Sequence, residues 1–196
     1  QSFKSRGETS TVGTQNTVTI PMIILDSYAA LEELSKNPLI DIEKVAITGW
    51  SLGGGVTLYS AWKPLMDAIN PDYTFAAHLA FYPPCFSEPN ILEFSNAPIH
   101  ILIGELDQWV PADACVDLSN KMKSNDINID ITVYDGAHHS FDRDQELQIA
   151  DNGYSFTDCR FKLNDEGAVL MNFLNIPMTN PFLQKVGFSL CANRDP

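Results

Sequence analysis

The sequence lacks any apolar run near the roughly 20 residues that a membrane-spanning helix requires. Residues 1–19 are polar, where a signal peptide would have an apolar centre. Basic residues are scarce as well, because 12 Lys and Arg stand against 25 Asp and Glu and leave a formal net charge of −13. Since nucleic acids and anionic membranes attract basic surfaces, we expect no nucleic-acid partner and no membrane association.

Cysteine is also sparse, and no two of the four cysteines form a C-x-x-C pair. This spacing argues against zinc and thioredoxin-like sites, so we expect neither a metal nor another cofactor. The count allows four reduced thiols or two disulfides, and both states stay open at this point. The cysteines are Cys85, Cys115, Cys159 and Cys191.

What the sequence does contain is an alternation of helix and strand patterns. Apolar residues recur at helical spacing in 21–37, and further helices are predicted at 52–63, closed by Pro64, and at 112–124. The predicted strands are 44–50, 73–83, 97–105 and 127–135. This alternation predicts an α/β fold with a mainly parallel sheet flanked by helices.

The stretch Gly49-Trp50-Ser51-Leu52-Gly53 follows the first predicted strand directly. A G-x-S-x-G turn presents a serine hydroxyl at the start of the next helix, where free N–H groups and the helix dipole favour a developing oxyanion. We expect Gly49 and Gly53 to leave room for this sharp turn, because a Cβ would collide there. A plain glycine-rich turn is the alternative interpretation.

Two later strands end in residues that would complete a nucleophilic site. Strand 97–105 runs into Asp107, and strand 127–135 runs into His139. Because the carboxyl ends of parallel strands share one edge of a sheet, Ser51, Asp107 and His139 are predicted to meet there. In such a triad the histidine takes the serine proton, and the carboxylate holds the histidine in the required tautomer.

The segments GWSLGG, LIGELDQWVP and VYDGAHHSFD occur in this order, and together they resemble the dienelactone hydrolase family of the α/β-hydrolases. The resemblance covers roughly residues 22–142 and implies an α/β-hydrolase fold. The family's acid turn favours Asp107 over Glu105, and its A-x-H-x-F turn favours His139 over His138. The family's namesake uses a cysteine nucleophile, so a serine at this position favours a broader carboxylesterase.

The resemblance also implies that the N-terminal strands of the family's sheet are missing, because only about 45 residues precede VAITGW. The Leu52 N–H is then one oxyanion donor, and the second donor, which an early loop supplies in the family, has no counterpart that we can identify. We expect a fragment, a second chain that completes the sheet, or a homo-oligomer.

Candidate walls of the substrate pocket are Trp50, Trp109 and Tyr82, although simple packing explains these aromatic residues equally well.

Cys85 follows the second predicted strand, and Cys115 opens the helix after the third. Adjacent parallel strands bring these two ends together, so a Cys85–Cys115 disulfide is geometrically reasonable. Cys159 and Cys191 would then tie down the C-terminal segment. If the disulfides form, the protein works in the periplasm or outside the cell; if not, the cytoplasm is favoured.

The sequence therefore predicts a serine hydrolase that cleaves carboxylic esters, or lactones, through an acyl-enzyme. Residues 1–150 form the partial catalytic domain in this interpretation, and 151–196 form an extension packed on it. Two alternatives stay open. The pattern GWS-x-GG also resembles prolyl-oligopeptidase-type serine peptidases, and the short N-terminal part favours an incomplete, non-catalytic domain that binds a partner.

Overall fold

A sheet of parallel strands lies at the centre of the computed structural model, which describes residues 1–9, 17–149, 153–172 and 174–192. Within these residues the strands are β1 (Ile47–Trp50), β2 (His78–Phe81), β3 (Ser87–Pro89), β4 (Ile99–Gly104), β5 (Ile129–Tyr134), β6 (Phe161–Leu163) and β7 (Val169–Leu170). The α-helices are α1 (Ile20–Ser35), α2 (Leu52–Tyr59), α3 (Lys63–Ile69), α4 (Ala112–Lys123) and α5 (Pro181–Ser189).

The main sheet has the strand order β1-β2-β4-β5, and every neighbouring pair in it is parallel. Parallel neighbours need crossover connections. Helices α2 and α3 lie between β1 and β2 in the chain, and α4 lies between β4 and β5. The predicted α/β fold with a mainly parallel sheet flanked by helices is therefore confirmed.

The core forms on one face of this sheet. Ile99, Ile101 and Ile103 alternate along β4 and are at most 2% exposed. Helix α2 packs on β1 and β2, α4 packs on β4 and β5, and α1 packs on α2. Burial of these apolar side chains supplies the main driving force for assembling the sheet and its helices.

The helix predicted at 52–63 is wrong in its second half. Helix α2 ends at Tyr59, and Pro64 lies in the first turn of α3 instead of closing the preceding helix. Proline fits a first turn because the N–H groups there have no intrahelical acceptor. The proline marks a helix boundary in the sequence, but the side of it on which the helix lies depends on packing.

The C-terminal part contains regular structure that the sequence pattern did not predict. Strands β3, β6 and β7 form a second, small sheet in which β3 and β6 are parallel and β6 and β7 are antiparallel. This pairing ties the segment after the main sheet to the loop between β2 and β4. The domain boundary expected at 150/151 lies outside the described residues.

Two disulfides join separate parts of the chain, and they are the pairs considered above. Cys85 is bonded to Cys115 and Cys159 to Cys191, with Cα atoms 4.9 and 5.0 Å apart. The first disulfide connects the segment after β2 to helix α4, and the second connects the segment before β6 to the end of α5. In the part of the chain that the structure describes, no helix is both long and apolar enough to cross a membrane.

Acid should destabilise this fold through His78, which lies on β2 and is 3% exposed. Its Nδ1–H donates to the Thr57 carbonyl oxygen at 3.0 Å, while burial lowers its pKa to about 4. Below about pH 6.5 the unfolded chain therefore takes up a second proton on the His78 imidazole, and the folded chain does not. The contribution of neutral His78 to the unfolding free energy is complete above pH 6.5, and about 3 kcal/mol of it is lost as the pH falls toward 4.

Urea unfolding at a series of pH values measures this loss. We expect the unfolding free energy of His78→Gln to fall less steeply between pH 7 and 4 than that of the wild type. His100→Gln is the matched control, because His100 lies on the neighbouring strand β4 and is only half-buried. Parallel wild-type and His78→Gln curves would contradict the assignment.

Candidate active site

Ser51 occupies a strained turn between the end of β1 and the start of α2. Its backbone has φ 53° and ψ −113°, a region that L-residues rarely adopt and that costs about 1–3 kcal/mol. The Ser51 N–H donates to the Phe81 carbonyl at 3.0 Å, and the Ser51 carbonyl accepts the Gly55 N–H at 3.0 Å. The turn is thereby held by the neighbouring strand and by the helix that it opens.

The glycines around Ser51 have different roles. A Cβ at Gly49 would lie 2.3 Å from the Gly53 carbonyl oxygen, so the strand and the helix approach each other only with glycine at position 49. A Cβ at Gly53 would meet nothing within 4 Å outside its own helical turn, so the expectation that Gly53 leaves room is wrong. The second close approach is at Gly54, whose Cβ would lie 2.3 Å from the Phe81 carbonyl oxygen.

Asp107 is held by backbone groups in the turn after β4. Its Oδ1 accepts the Trp109 and Val110 N–H groups, both at 2.9 Å, and its side chain is fully buried. These two bonds fix the plane of the carboxylate and leave Oδ2 free for another donor. That donor is the Nδ1–H of His139, at 2.7 Å.

His139 reaches Asp107 because the loop after β5 comes close to the end of β4. A Cβ at Gly104 would lie 2.3 Å from the Ala137 carbonyl oxygen, and the Leu106 N–H donates to that same oxygen at 2.8 Å. The opposite ring nitrogen of His139, Nε2, lies 3.1 Å from Ser51 Oγ. The structure thus brings Ser51, His139 and Asp107 into one hydrogen-bonded chain.

This chain fixes the tautomer of His139. A carboxylate only accepts hydrogen bonds, so the proton sits on Nδ1, and Nε2 is left as an acceptor for the Ser51 hydroxyl. Such an arrangement can take the hydroxyl proton as the oxygen attacks a carbonyl carbon.

The competing acid, Glu105, and the competing histidine, His138, lie outside this hydrogen-bonded chain. Glu105 accepts the Gly136 N–H at 2.9 Å. This bond, together with one from Asp135, holds the pKa of Glu105 below its usual value, and Glu105 in turn raises the pKa of Asp135. His138 is one of the residues that line a cavity of about 380 Å³ beside the Asp107 turn. The cavity is lined by Glu105, Leu106, Asp107, Gln108, Pro111, Asp113, His138 and Thr157.

The three aromatic residues predicted to form pocket walls do not line this cavity. Tyr82 and Trp109 instead contact His139, with ring centroids 4.5 and 5.0 Å from the imidazole. Trp50 stacks on Phe81 at 5.2 Å and is 48% exposed. Aromatic rings on the imidazole restrict its rotation, so Tyr82 and Trp109 help to keep His139 between its two partners.

Leu52 is the first residue of α2. Its N–H lies in the first helical turn, where N–H groups lack an intrahelical acceptor and the helix dipole is positive. A negatively charged oxygen next to Ser51 Oγ would be favoured there. Among the described residues, no three His, Cys, Asp or Glu side chains are grouped so that they could hold a metal ion.

Sequence reasoning did not identify Asp142 at this site. Its two carboxylate oxygens accept from Trp50 Nε1–H at 2.6 Å and from the Tyr82 hydroxyl at 2.8 Å. The signal in the sequence was an acidic residue three positions after His139, which is uninformative without the positions of its two partners.

Comparison with known proteins gives a family and a fold. The model of the dienelactone hydrolase family matches residues 4–158. The chain is similar to "Protein usf" of Aquifex pyrophilus, with 27% identity over 115 residues that cover 56% of this chain and 44% of that protein. It is also similar to a Bradyrhizobium protein named "Probable 2-oxo-3-(5-oxofuran-2-ylidene)propanoate lactonase", with 23% identity over 61% of this chain and 48% of the relative.

Solved structures with this fold include a thermophilic esterase from Thermogutta terrifontis. It superposes with a TM-score of 0.54 at 17% identity and covers 66% of this chain and 58% of the esterase. At that identity the likeness establishes the fold alone. The chain spans less than half the length of the two curated relatives described above.

Proposed function

The chain belongs to the dienelactone hydrolase family, and on that premise we propose that it hydrolyses carboxylic esters or lactones through a covalent acyl-enzyme. Ser51 is the nucleophile, His139 is the general base and acid, and Asp107 orients His139. The observation that carries the proposal is the continuous chain of hydrogen bonds from Ser51 Oγ through His139 to Asp107. The lactonase name of the Bradyrhizobium relative supports including lactones among the substrates.

The reaction proceeds in two halves. Ser51 Oγ attacks the substrate carbonyl carbon while His139 Nε2 takes the hydroxyl proton. The tetrahedral intermediate collapses when His139 returns that proton to the leaving alcohol, and the serine ester remains. Water then repeats the sequence on the acyl-enzyme, with His139 again as base, and releases the carboxylic acid and free Ser51.

Electrostatic stabilisation supplies a further part of the rate. During attack the carbonyl oxygen becomes negative, and the Leu52 N–H at the start of α2 is the donor that we propose for it. One such donor is worth about a hundredfold to a thousandfold in kcat. His139 becomes positively charged at the same moment, and the buried Asp107 carboxylate stabilises that charge.

Compartment and assembly belong to the same proposal. Two buried disulfides support an oxidising compartment such as the periplasm or the exterior of the cell. Strand β1 is one of the two outer strands of the main sheet, and among the described residues it has a strand neighbour, β2, on one side only. An open edge of this kind supports pairing with a strand from a second copy or another polypeptide.

A fluorophosphonate probe tests the nucleophile directly. The Ser51 oxygen displaces fluoride from phosphorus, so intact mass spectrometry should show one adduct per wild-type chain and none on Ser51→Ala. Ser124→Ala is the matched control, because Ser124 is an exposed serine after α4 whose hydroxyl donates to the Asn120 carbonyl; it should label as the wild type does. An adduct that persists on Ser51→Ala would assign the reactivity to another residue.

A further inference from the structure

Asp142 joins two elements that flank the nucleophile and its base. Trp50, which donates to Asp142 Oδ2, is the last residue of β1 and directly precedes Ser51. Tyr82, which donates to Asp142 Oδ1, directly follows β2. Asp142 itself lies three residues after His139, so one side chain connects the histidine loop to the ends of two strands.

Tyr82 is the residue through which this connection reaches the imidazole. Its ring lies 4.5 Å from the His139 ring, and its backbone adopts φ 35°. Its N–H donates to the Leu102 carbonyl at 2.7 Å, which fixes the base of the side chain. Burial and the hydrogen bond to Asp142 raise the pKa of the Tyr82 hydroxyl, so this hydroxyl stays a donor across the physiological range.

The hydroxyl at the far end of the Tyr82 ring donates to Asp142 Oδ1 and is also hydrogen-bonded to the Ser140 side chain, so Asp142 is its charged partner and Ser140 a neutral one. Hydrogen bonds to a charged acceptor are roughly twice as strong as neutral ones. Without this acceptor the Tyr82 ring can tilt and the histidine loop can move relative to β1. Both movements would change the 3.1 Å separation between His139 Nε2 and Ser51 Oγ.

We propose that Asp142 is a positioning residue, which holds the Tyr82 ring against His139 and anchors the histidine loop to the nucleophile strand by accepting from Tyr82 and Trp50. The inference rests on the proposed function, because it concerns the geometry of the same serine–histidine pair. Asp142 takes no part in proton transfer and contacts no reacting atom. Its effect is on how often Nε2 is in line with the serine hydroxyl.

The test compares four single variants and one double variant by their rate of fluorophosphonate labelling and by the kcat and KM of p-nitrophenyl acetate hydrolysis. Asp142→Ala removes both acceptors. We expect its labelling rate and kcat to fall about tenfold to a hundredfold, with KM within about twofold of the wild type, since small displacements of reacting groups have effects of this size. Asp144→Ala is the matched control, because it removes an exposed carboxylate two residues further on and should label at the wild-type rate.

Asp142→Asn separates position from charge. Its amide oxygen can accept from Trp50 Nε1–H, and its NH₂ group can donate to the Tyr82 oxygen, so both connections persist without the negative charge. We expect this variant to recover most of the rate lost in Asp142→Ala. A loss as large as that of Asp142→Ala would overturn the positioning role.

The pairing with Tyr82 gives a second, independent readout. If Asp142 acts through the Tyr82 hydroxyl, Tyr82→Phe and Asp142→Ala remove the same connection, and their combined effect will be smaller than the product of the single effects. Multiplicative effects would overturn the inference. A labelling rate of Asp142→Ala within twofold of the wild type would also overturn the positioning role of Asp142. In that case the proposed function would still hold, provided that Ser51→Ala loses its labelling.

Discussion

Asp107→Asn is expected to lower kcat for ester hydrolysis about 10⁴-fold while leaving the fold intact. The reason lies in how the turn holds the side chain. The Trp109 and Val110 N–H groups need an acceptor and already occupy Oδ1. In the variant, the amide oxygen takes that position, and the NH₂ group is turned toward His139 Nδ1.

An NH₂ group facing Nδ1 forces the wrong tautomer on the imidazole. His139 must then present a lone pair at Nδ1 and carry its proton on Nε2, which faces Ser51. A protonated Nε2 cannot accept the serine proton, so the proposed nucleophile, Ser51, would not be activated. The variant should keep its thermal unfolding temperature within a few degrees, because both backbone bonds of the turn are retained.

Steady-state hydrolysis of p-nitrophenyl acetate measures this effect, and Glu105→Gln is the matched control. Glu105 is the other acid at this strand end, but its carboxylate accepts from the Gly136 N–H, whereas His139 Nδ1 is bonded to Asp107. We expect Glu105→Gln to keep kcat within about threefold of the wild type, as is usual for surface substitutions away from a site. A larger loss in Glu105→Gln than in Asp107→Asn would reassign the acid.

Gly49→Ala should be the most disruptive single-methyl substitution in the nucleophile turn. The new Cβ would lie 2.3 Å from the Gly53 carbonyl oxygen and 2.5 Å from its carbon, and both atoms belong to the backbone. The strand and α2 must separate to relieve the clash. We expect a loss of about 3 kcal/mol or more in unfolding free energy and at least a hundredfold slower labelling of Ser51, since the turn carries this proposed nucleophile.

Gly53→Ala is the matched substitution in the same motif, with the opposite expectation for stability. A Cβ at Gly53 meets nothing within 4 Å outside its own turn, and replacing glycine by alanine where the backbone allows it stabilises a protein by about 0.4–1 kcal/mol through the unfolded chain. Urea unfolding should therefore show Gly53→Ala to be as stable as the wild type or more stable. Equal destabilisation by the two substitutions would mean that the turn is tight on both sides of Ser51.

The two glycines show where the sequence pattern stops being informative. G-x-S-x-G identified the turn, but it treated Gly49 and Gly53 as equivalent. The close backbone approaches are at Gly49, which faces the Gly53 carbonyl of α2, and at Gly54, which faces the Phe81 carbonyl at the end of β2. Which glycine is required depends on where a neighbouring strand lies, and no local pattern records that position.

The fold class and the convergence of three side chains could be predicted from the sequence for a common reason. Alternating strand and helix patterns imply parallel strands, and parallel strands place their carboxyl ends at one edge. Ser51, Asp107 and His139 each follow such an end, and the structure has them within hydrogen-bond distance. The order of strands and helices along the chain was sufficient for this prediction, because parallel strands bring the residues at their carboxyl ends close together.

Other features depended on contacts between segments far apart in the chain. The parallel sheet, the serine turn and the order of the acid and histidine could be read from the sequence alone, since each follows from residue type and spacing. Packing between distant segments sets three other features: Pro64 begins a helix, β3 pairs with β6, and Asp142 joins Trp50 to Tyr82. Asp142 lies 92 residues from Trp50 and 60 from Tyr82, so their meeting is set by packing of the whole sheet rather than by any local preference.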